Sequence, residues 1–178
     1  MKVCVLVKQV PGSESALRIA SSNTWIEDAA ALFEMNESDN YALEEALRIK
    51  ESLGNDSEVV VISMGPERVQ KVIREALSKG AGRGIHINEM PEIKSDPFAT
   101  AQVIADVIKD ENFDLIFSGL QSDDVGSGQT GVILGEMLGM ATATLVMATE
   151  IQEGSIKVKR ELESGWFQWV SMSTPASI

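Results

Sequence analysis

The sequence is poor in the residues that build reactive centres. Its 178 residues include one cysteine, Cys4, and one histidine, His86. A single thiol excludes a disulfide framework and a cysteine-rich metal site, and it removes the need for an oxidising compartment. A single imidazole excludes a multi-histidine metal centre and leaves a histidine-based hydrolase without support. No uncharged apolar run approaches the roughly 20 residues that span a bilayer. The opening Met1-Lys2-Val3-Cys4-Val5-Leu6-Val7-Lys8 is too short in its apolar part for a secretory leader, has no small-residue cleavage site and reads as a strand. Positive charge is scarce as well: 15 Lys and Arg stand against 27 Asp and Glu, for a formal net charge of -12. That excess disfavours nucleic acid and anionic membrane surfaces, so neither nucleic-acid binding nor membrane insertion is expected. A phosphate bound by such a chain must be held by backbone N–H groups and helix ends rather than by a basic patch. The expected setting is the cytoplasm.

What is present is ordinary for a globular chain: 44% hydrophobic and 24% charged residues, which points to a single domain over residues 1–178. Residues 3–7 form an apolar run bounded by the Pro11-Gly12 turn signal, read as a buried strand. Residues 13–39 have no clean period and read as a long connection with a short extended piece at 16–19. From Tyr41 the period becomes helical through Ala42, Leu43, Ala46, Leu47, Ile49 and Leu53, with Asn36, Ser38 or Asp39 as caps and Gly54 as the stop. Further strands are expected at 57–64, 84–88, 113–118 and 142–146. Further helices are expected at 67–79, from Pro97 or Ala99 to Lys109 with Ser95 and Asp96 as caps, and at 128–138. Residues 154–170 alternate apolar and polar around Glu163-Ser164-Gly165, as an antiparallel hairpin does; it makes 147–178 an appendage of the same domain. Of Trp166, Phe167 and Trp169 on it, half are expected to face the core and the rest a partner.

Strands alternating with helices imply an α/β, doubly wound, mostly parallel sheet of Rossmann-like type, followed by that C-terminal antiparallel hairpin. Ligands of such sheets sit outside the C-terminal strand ends, here residues 8–12, 63–66 and 118–124. The letters Gly126-Ser127-Gly128-Gln129-Thr130-Gly131 match G-x-G-x-x-G but follow the fourth strand after a loop, which is the wrong place for a dinucleotide fingerprint. The physical content survives: a helix start rich in glycine offers open N–H groups to an anion. The bland reading is an ordinary helix start capped by Ser127. Ser63-Met64-Gly65-Pro66 closes a strand where a ligand can approach the backbone, or simply turns the chain into a helix. Asp123 and Asp124 are read as solvated carboxylates rather than a magnesium site, Cys4 as a small buried hydrophobe, and His86 as a structural histidine. No P-loop, catalytic side chain or metal site emerges.

Six strings in order then carry a resemblance: Val7-Lys8-Gln9-Val10-Pro11; the run from Asn36 to Lys50; Ser63-Met64-Gly65-Pro66; the run from Ala76 to Ile85; Gly119, Gln121, Asp124, Gln129, Thr130 and Gly131 at their spacing; and Lys159-Arg160-Glu161-Leu162-Glu163. Together they resemble the β subunit of electron transfer flavoprotein along essentially the whole chain. The resemblance implies an electron carrier subunit, not an enzyme, that binds AMP, or the ADP half of a second FAD in electron-bifurcating members. It implies pairing with an α subunit that holds most of a FAD and shuttles electrons from dehydrogenases to an acceptor. It places ligand contacts at Val7, Lys8, Asn36, Met64, Gly119, Gln121, Ser122, Val125, Gly128, Gln129 and Thr130, and residues 13–16 near the α-subunit flavin.

Three positions depart from the family pattern: Gly82, where an aspartate is usual, Ser164 and Gly128. Pro175-Ala176-Ser177-Ile178 closes the sequence where the family continues into an arm that docks dehydrogenases, so docking by that route is not expected of these residues. The alternative from a different class is a stand-alone adenine-nucleotide-binding module resembling universal stress proteins.

Overall fold

The computed structural model describes residues 1–88 and 96–178. Its centre is a six-stranded sheet in which every pairing is parallel. In spatial order the strands are β5 (Arg83–Asn88), β4 (Glu58–Gly65), β1 (Lys2–Leu6), β6 (Leu115–Phe117), β11 (Ala176–Ser177) and β7 (Ala141–Thr142). Four helices connect them: α1 (Glu37–Leu53), α2 (Gln70–Lys79), α3 (Pro97–Ile108) and α4 (Thr130–Met137).

The pleat of the central strands separates the core into two halves. Val3 and Val5 of β1 join Val59 and Val61 of β4 beneath Ala42, Leu43, Ala46 and Leu47 of α1 and Val72 and Ala76 of α2. Cys4 and Leu6, with Val60, Ile62 and Ile116, lie under Ala101, Ile104 and Ile108 of α3 and Leu134 of α4. Both faces being covered explains why these strands read as continuous apolar runs instead of alternating ones. The thiol of Cys4 is wholly buried, and that burial pushes its pKa far above the usual range.

A second sheet, antiparallel, runs β10 (Phe167–Ser173), β9 (Ser155–Glu161), β8 (Val146–Gln152). It docks on the α1 side of the core. Ile156 and Val158 pack into the α1 cluster, the Thr149 hydroxyl donates to Glu45, and Arg48 donates to the Thr149 carbonyl at 3.3 Å. A short two-stranded ladder, β2 (Gln9–Pro11) with β3 (Phe33–Met35), clamps the two ends of the long connection.

The doubly wound, mostly parallel sheet with an antiparallel element after it is thus present, with local departures. The extended piece expected at 16–19 reduces to one bridge between Ile19 and Ile26. The helix expected from Tyr41 starts four residues earlier, at Glu37. Asp96 caps α3 by accepting from the Ala99 N–H at 2.8 Å; Ser95, the other expected cap, lies outside the described residues. The strand expected at 142–146 breaks at Leu145, which has φ 56°, so β7 belongs to one sheet and β8 to the other. The expected hairpin is the second turn of a three-stranded meander. The last residues leave it after a cis Thr174–Pro175 bond and enter the main sheet as β11, between β6 and β7. Trp166, Phe167 and Trp169 are all exposed, at 73%, 46% and 45%. Val170 and Met172 take the inward positions of β10, while Lys157 and Lys159 lie over the rings of Trp169 and Phe167 at 4.5 and 4.0 Å. The expectation that half of these aromatics face the core is therefore corrected.

Candidate functional site

β1, β4 and β6 are neighbours and all end at the same edge of the sheet, as the rule for doubly wound folds requires of a ligand site. Val7 follows β1 directly and donates its N–H to the Ile62 carbonyl at 2.9 Å. That register sets Val7 and Lys8 level with the end of β4, where Met64 lies half-buried. From the end of β6 the chain runs through Gly119 into a loop that reaches α4 at Thr130.

The loop is stitched to α1 and to the end of β1. The side-chain amide of Asn36, 1% exposed, donates from Nδ2 to the Gln121 carbonyl at 3.0 Å and to Ser38 Oγ at 2.9 Å. Its Oδ1 accepts the Asp123 N–H at 2.9 Å, and Ser38 Oγ donates to the Gln121 carbonyl at 2.8 Å. Lys8 Nζ meets Asp124 Oδ1 at 2.6 Å and Ser122 Oγ at 3.2 Å. Burial by itself would raise the Asp124 pKa. The hydrogen bonds from Lys8, Ser122 and the Val125 N–H, with the Lys8 charge, outweigh it and hold the carboxyl below its ordinary value. Asp123, by contrast, accepts the Glu37 N–H at 3.4 Å. The two adjacent carboxylates thus serve different partners, and among the described residues no group of three or more acidic, histidine or cysteine side chains converges on a metal position.

Beneath the loop lies Asp39, 6% exposed, whose carboxylate accepts the Lys8 N–H at 2.7 Å and the Gly119 N–H at 3.0 Å. Burial pushes its pKa up to about 6, against the lowering effect of those N–H groups, of Asn36 and of the Lys8 charge. Gly119 is bare for a steric reason: a Cβ there would stand 2.3 Å from Asp39 Oδ1 and 2.8 Å from the Asp39 nitrogen. Gly128 is bare for a conformational one, with φ at +61° and the Leu120 carbonyl 3.3 Å from where its Cβ would be.

The structure therefore brings Lys8, Asn36, Gly119, Gln121 and Ser122 into one hydrogen-bonded cluster at the sheet edge and sets Val7 and Met64 beside it. Val125, Gly128 and Gln129 lie on the exposed arm of the loop, and Thr130 opens α4. Asn36, expected among the ligand contacts, uses its amide to join the loop to the start of α1. Ser127 does not cap α4; the helix starts at Thr130, its N-cap is Gln129, and no side-chain cap hydrogen bond closes that end among the described residues. The first N–H groups of an α-helix have no partner within the helix, and this helix start is reached by the loop from the C-terminal end of β6. Ser63 Oγ, 1% exposed at the end of β4, has no hydrogen-bond partner among the described residues. His86 Nε2 lies 2.9 Å from the Gly65 carbonyl, an ordinary structural contact.

Sequence reasoning missed Ser38 and Asp39 as site residues. The available signal was a polar quartet, residues 36–39, set directly before a strongly apolar helix period and read only as alternative caps.

The chain is similar to known proteins along nearly its whole length. The family model described as the electron transfer flavoprotein domain matches residues 24–178. The electron transfer flavoprotein subunit beta of Methylophilus methylotrophus is 35% identical over 99% of this chain and 67% of its own. That of Bradyrhizobium diazoefficiens is 37% identical over 100% and 70%, and that of Dictyostelium discoideum 33% identical over 100% and 70%. The chain spans about two thirds of the length of these relatives. With a match along nearly its whole length, the chain belongs to the electron transfer flavoprotein family, on its beta-subunit side.

Proposed function

We propose that the strand-end site holds an adenine nucleotide, AMP or the ADP half of a FAD, and that the chain works paired with a flavin-carrying α subunit in electron transfer from dehydrogenases to an acceptor. The observation that carries this reading is the loop of residues 119–129. It is fixed by Asn36, Ser38 and Lys8 at the end of a parallel sheet and leads into a helix start without a side-chain cap. Such a start binds anions through backbone N–H groups, which suits a chain of net charge -12 that offers no basic patch.

The donor set fits a nucleotide. The N–H groups and the Thr130 hydroxyl at the start of α4 would hold the phosphate, and Val7 with Met64 at the end of β4 would line the nucleoside side. Lys8 contributes by holding Asp124 and thereby the loop. A flavin would supply the redox chemistry; this chain's residues bind and orient.

Pairing is supported by what is exposed. Phe167 and Trp169 on the antiparallel sheet with Trp166 just before it, and Leu17, Ile19, Trp25 and Leu32 on the long connection, are all accessible, and exposed large apolar side chains are the kind that protein contacts bury.

The test is titration calorimetry of the chain with AMP, beside the Thr130→Ala variant. Binding is expected, weakened in the variant by roughly threefold to tenfold for one neutral hydrogen bond. Equal affinity removes the Thr130 contact, and absence of binding to wild type removes the nucleotide assignment.

A further inference from the structure

The one buried carboxylate of the site has a geometry that its nearness to a ligand does not explain. β1 and β6 pair as far as Val5 and Phe117. Beyond that point the two strands part, and the N–H groups of Lys8 and Gly119 have left the ladder. Both turn to one acceptor: Lys8 N–H to Asp39 Oδ2 and Gly119 N–H to Asp39 Oδ1, one oxygen each. Asp39 belongs to the first turn of α1, and its own N–H bonds back to the Asn36 carbonyl at 3.1 Å. One carboxylate therefore joins three elements at the root of the loop. The approach is so close that a Cβ on Gly119 would overlap it.

We propose that Asp39 is the positioning residue of this site: its ionised carboxylate ties the ends of β1 and β6 to the start of α1, and so sets where residues 119–129 and Lys8 stand. For the nucleotide, this rests on the function proposed above.

The ionised state matters because it accepts at both oxygens, whereas a protonated carboxyl turns one oxygen into a donor and cannot hold both N–H groups equally. The charged group acting on Asp39 is the Lys8 ammonium from the end of β1, already paired with Asp124; the other charges of this corner are Asp123 and Asp124 on the loop and Glu37, two residues earlier on α1. The helix dipole favours the negative charge at this end of α1, while burial opposes it, so the carboxyl titrates near pH 6. Protonation releases one strand end and leaves the fold intact.

The experiment follows the amide resonances of Lys8 and Gly119 in the full chain, without nucleotide, from about pH 5 to about pH 8. Both are expected to shift together with one midpoint, and the shift to vanish in Asp39→Asn. Separate midpoints, no titration in wild type, or a titration that survives Asp39→Asn overturns the proposal. The wild-type titration alone decides if the variant does not fold. The second readout is AMP affinity over the same range. The nucleotide's phosphate titrates in this window too, but equally for both proteins. Wild type is expected to lose about fivefold more affinity toward acid than Asp39→Asn, the equivalent of one hydrogen bond; parallel profiles overturn the positioning role. If the paired amide titration is present and AMP binds neither protein, Asp39 keeps its role and the nucleotide reading falls.

Discussion

Asn36 and Asp39 divide the work at the site between a neutral amide and a charge. Asn36 is the cheaper device: three hydrogen bonds from one buried side chain to Ser38, Gln121 and Asp123. Asn36→Ala leaves the Asp123 N–H without its partner and the Gln121 carbonyl with the Ser38 hydroxyl alone, so urea unfolding should show a loss of about 2 kcal/mol; an unchanged midpoint would mean that water replaces the amide without cost. Asp39 is the expensive device. Its carboxyl rises from 3.8 to about 6 in the fold, so the folded protein binds a proton more readily than the unfolded chain does. The stability this group contributes is fully present below about pH 4 and is lost as pH rises through 6. Compared with Asp39→Asn, ligand-free wild type should lose on the order of 3 kcal/mol between those limits, read from urea unfolding at each pH. A difference that grows with pH instead would contradict the burial of an ionised group. The site is thus held in shape at neutral pH at the expense of stability, as functional sites commonly are.

The elements were legible to very different degrees. β1, β4 and β6 announce themselves because a strand covered on both faces is apolar throughout, and α1 and α2 because half-buried helices keep their period, with Gly54 and Gly80 as stops. β11 was not legible. Ala176 and Ser177 are two small residues with no pattern, and their place between β6 and β7 is fixed from outside: the Ala176 N–H bonds to Asp114, the Ile178 N–H to Ile116, and the Ser177 hydroxyl to Gly131. The break at Leu145 was hidden likewise, since a leucine gives no hint of φ 56°. Of the site, the strand ends were readable from topology, but the direction of each side chain was not, so the bonds of Asn36 and Ser38 to the loop were hidden. Ala176 is wholly buried, so Ala176→Asp places an unpaired carboxylate in the sheet and should cost more than about 3 kcal/mol in unfolding free energy. A loss below about 1 kcal/mol would show that β11 is peripheral.

At the scale of the molecule, the two ends of the sheet do different things. At the N-terminal strand ends Glu111 joins Lys2 at 2.5 Å and Arg83 at 2.7 Å, and the hydrogen bonds from these two cations hold its pKa at about 2. It binds strand β1 to β5 across the turn after α3, far from the ligand edge. The C-terminal ends carry the loop, Asp39 and the exposed apolar residues of the long connection. Phe167 and Trp169, on the outer face of the second sheet, add little to the fold: Trp169→Ala should change stability by no more than about 1 kcal/mol, the worth of an exposed ring with its Lys157 contact. The same change should weaken pairing with the α subunit well beyond that if this face is buried there.

The central claim is that the strand-end loop holds an adenine nucleotide. The most direct measurement is to purify the chain under native conditions, denature it, identify what it releases by absorbance and mass, and titrate the emptied and refolded protein with AMP. The account predicts release of AMP or FAD, or saturable AMP binding. Neither release nor binding would contradict it.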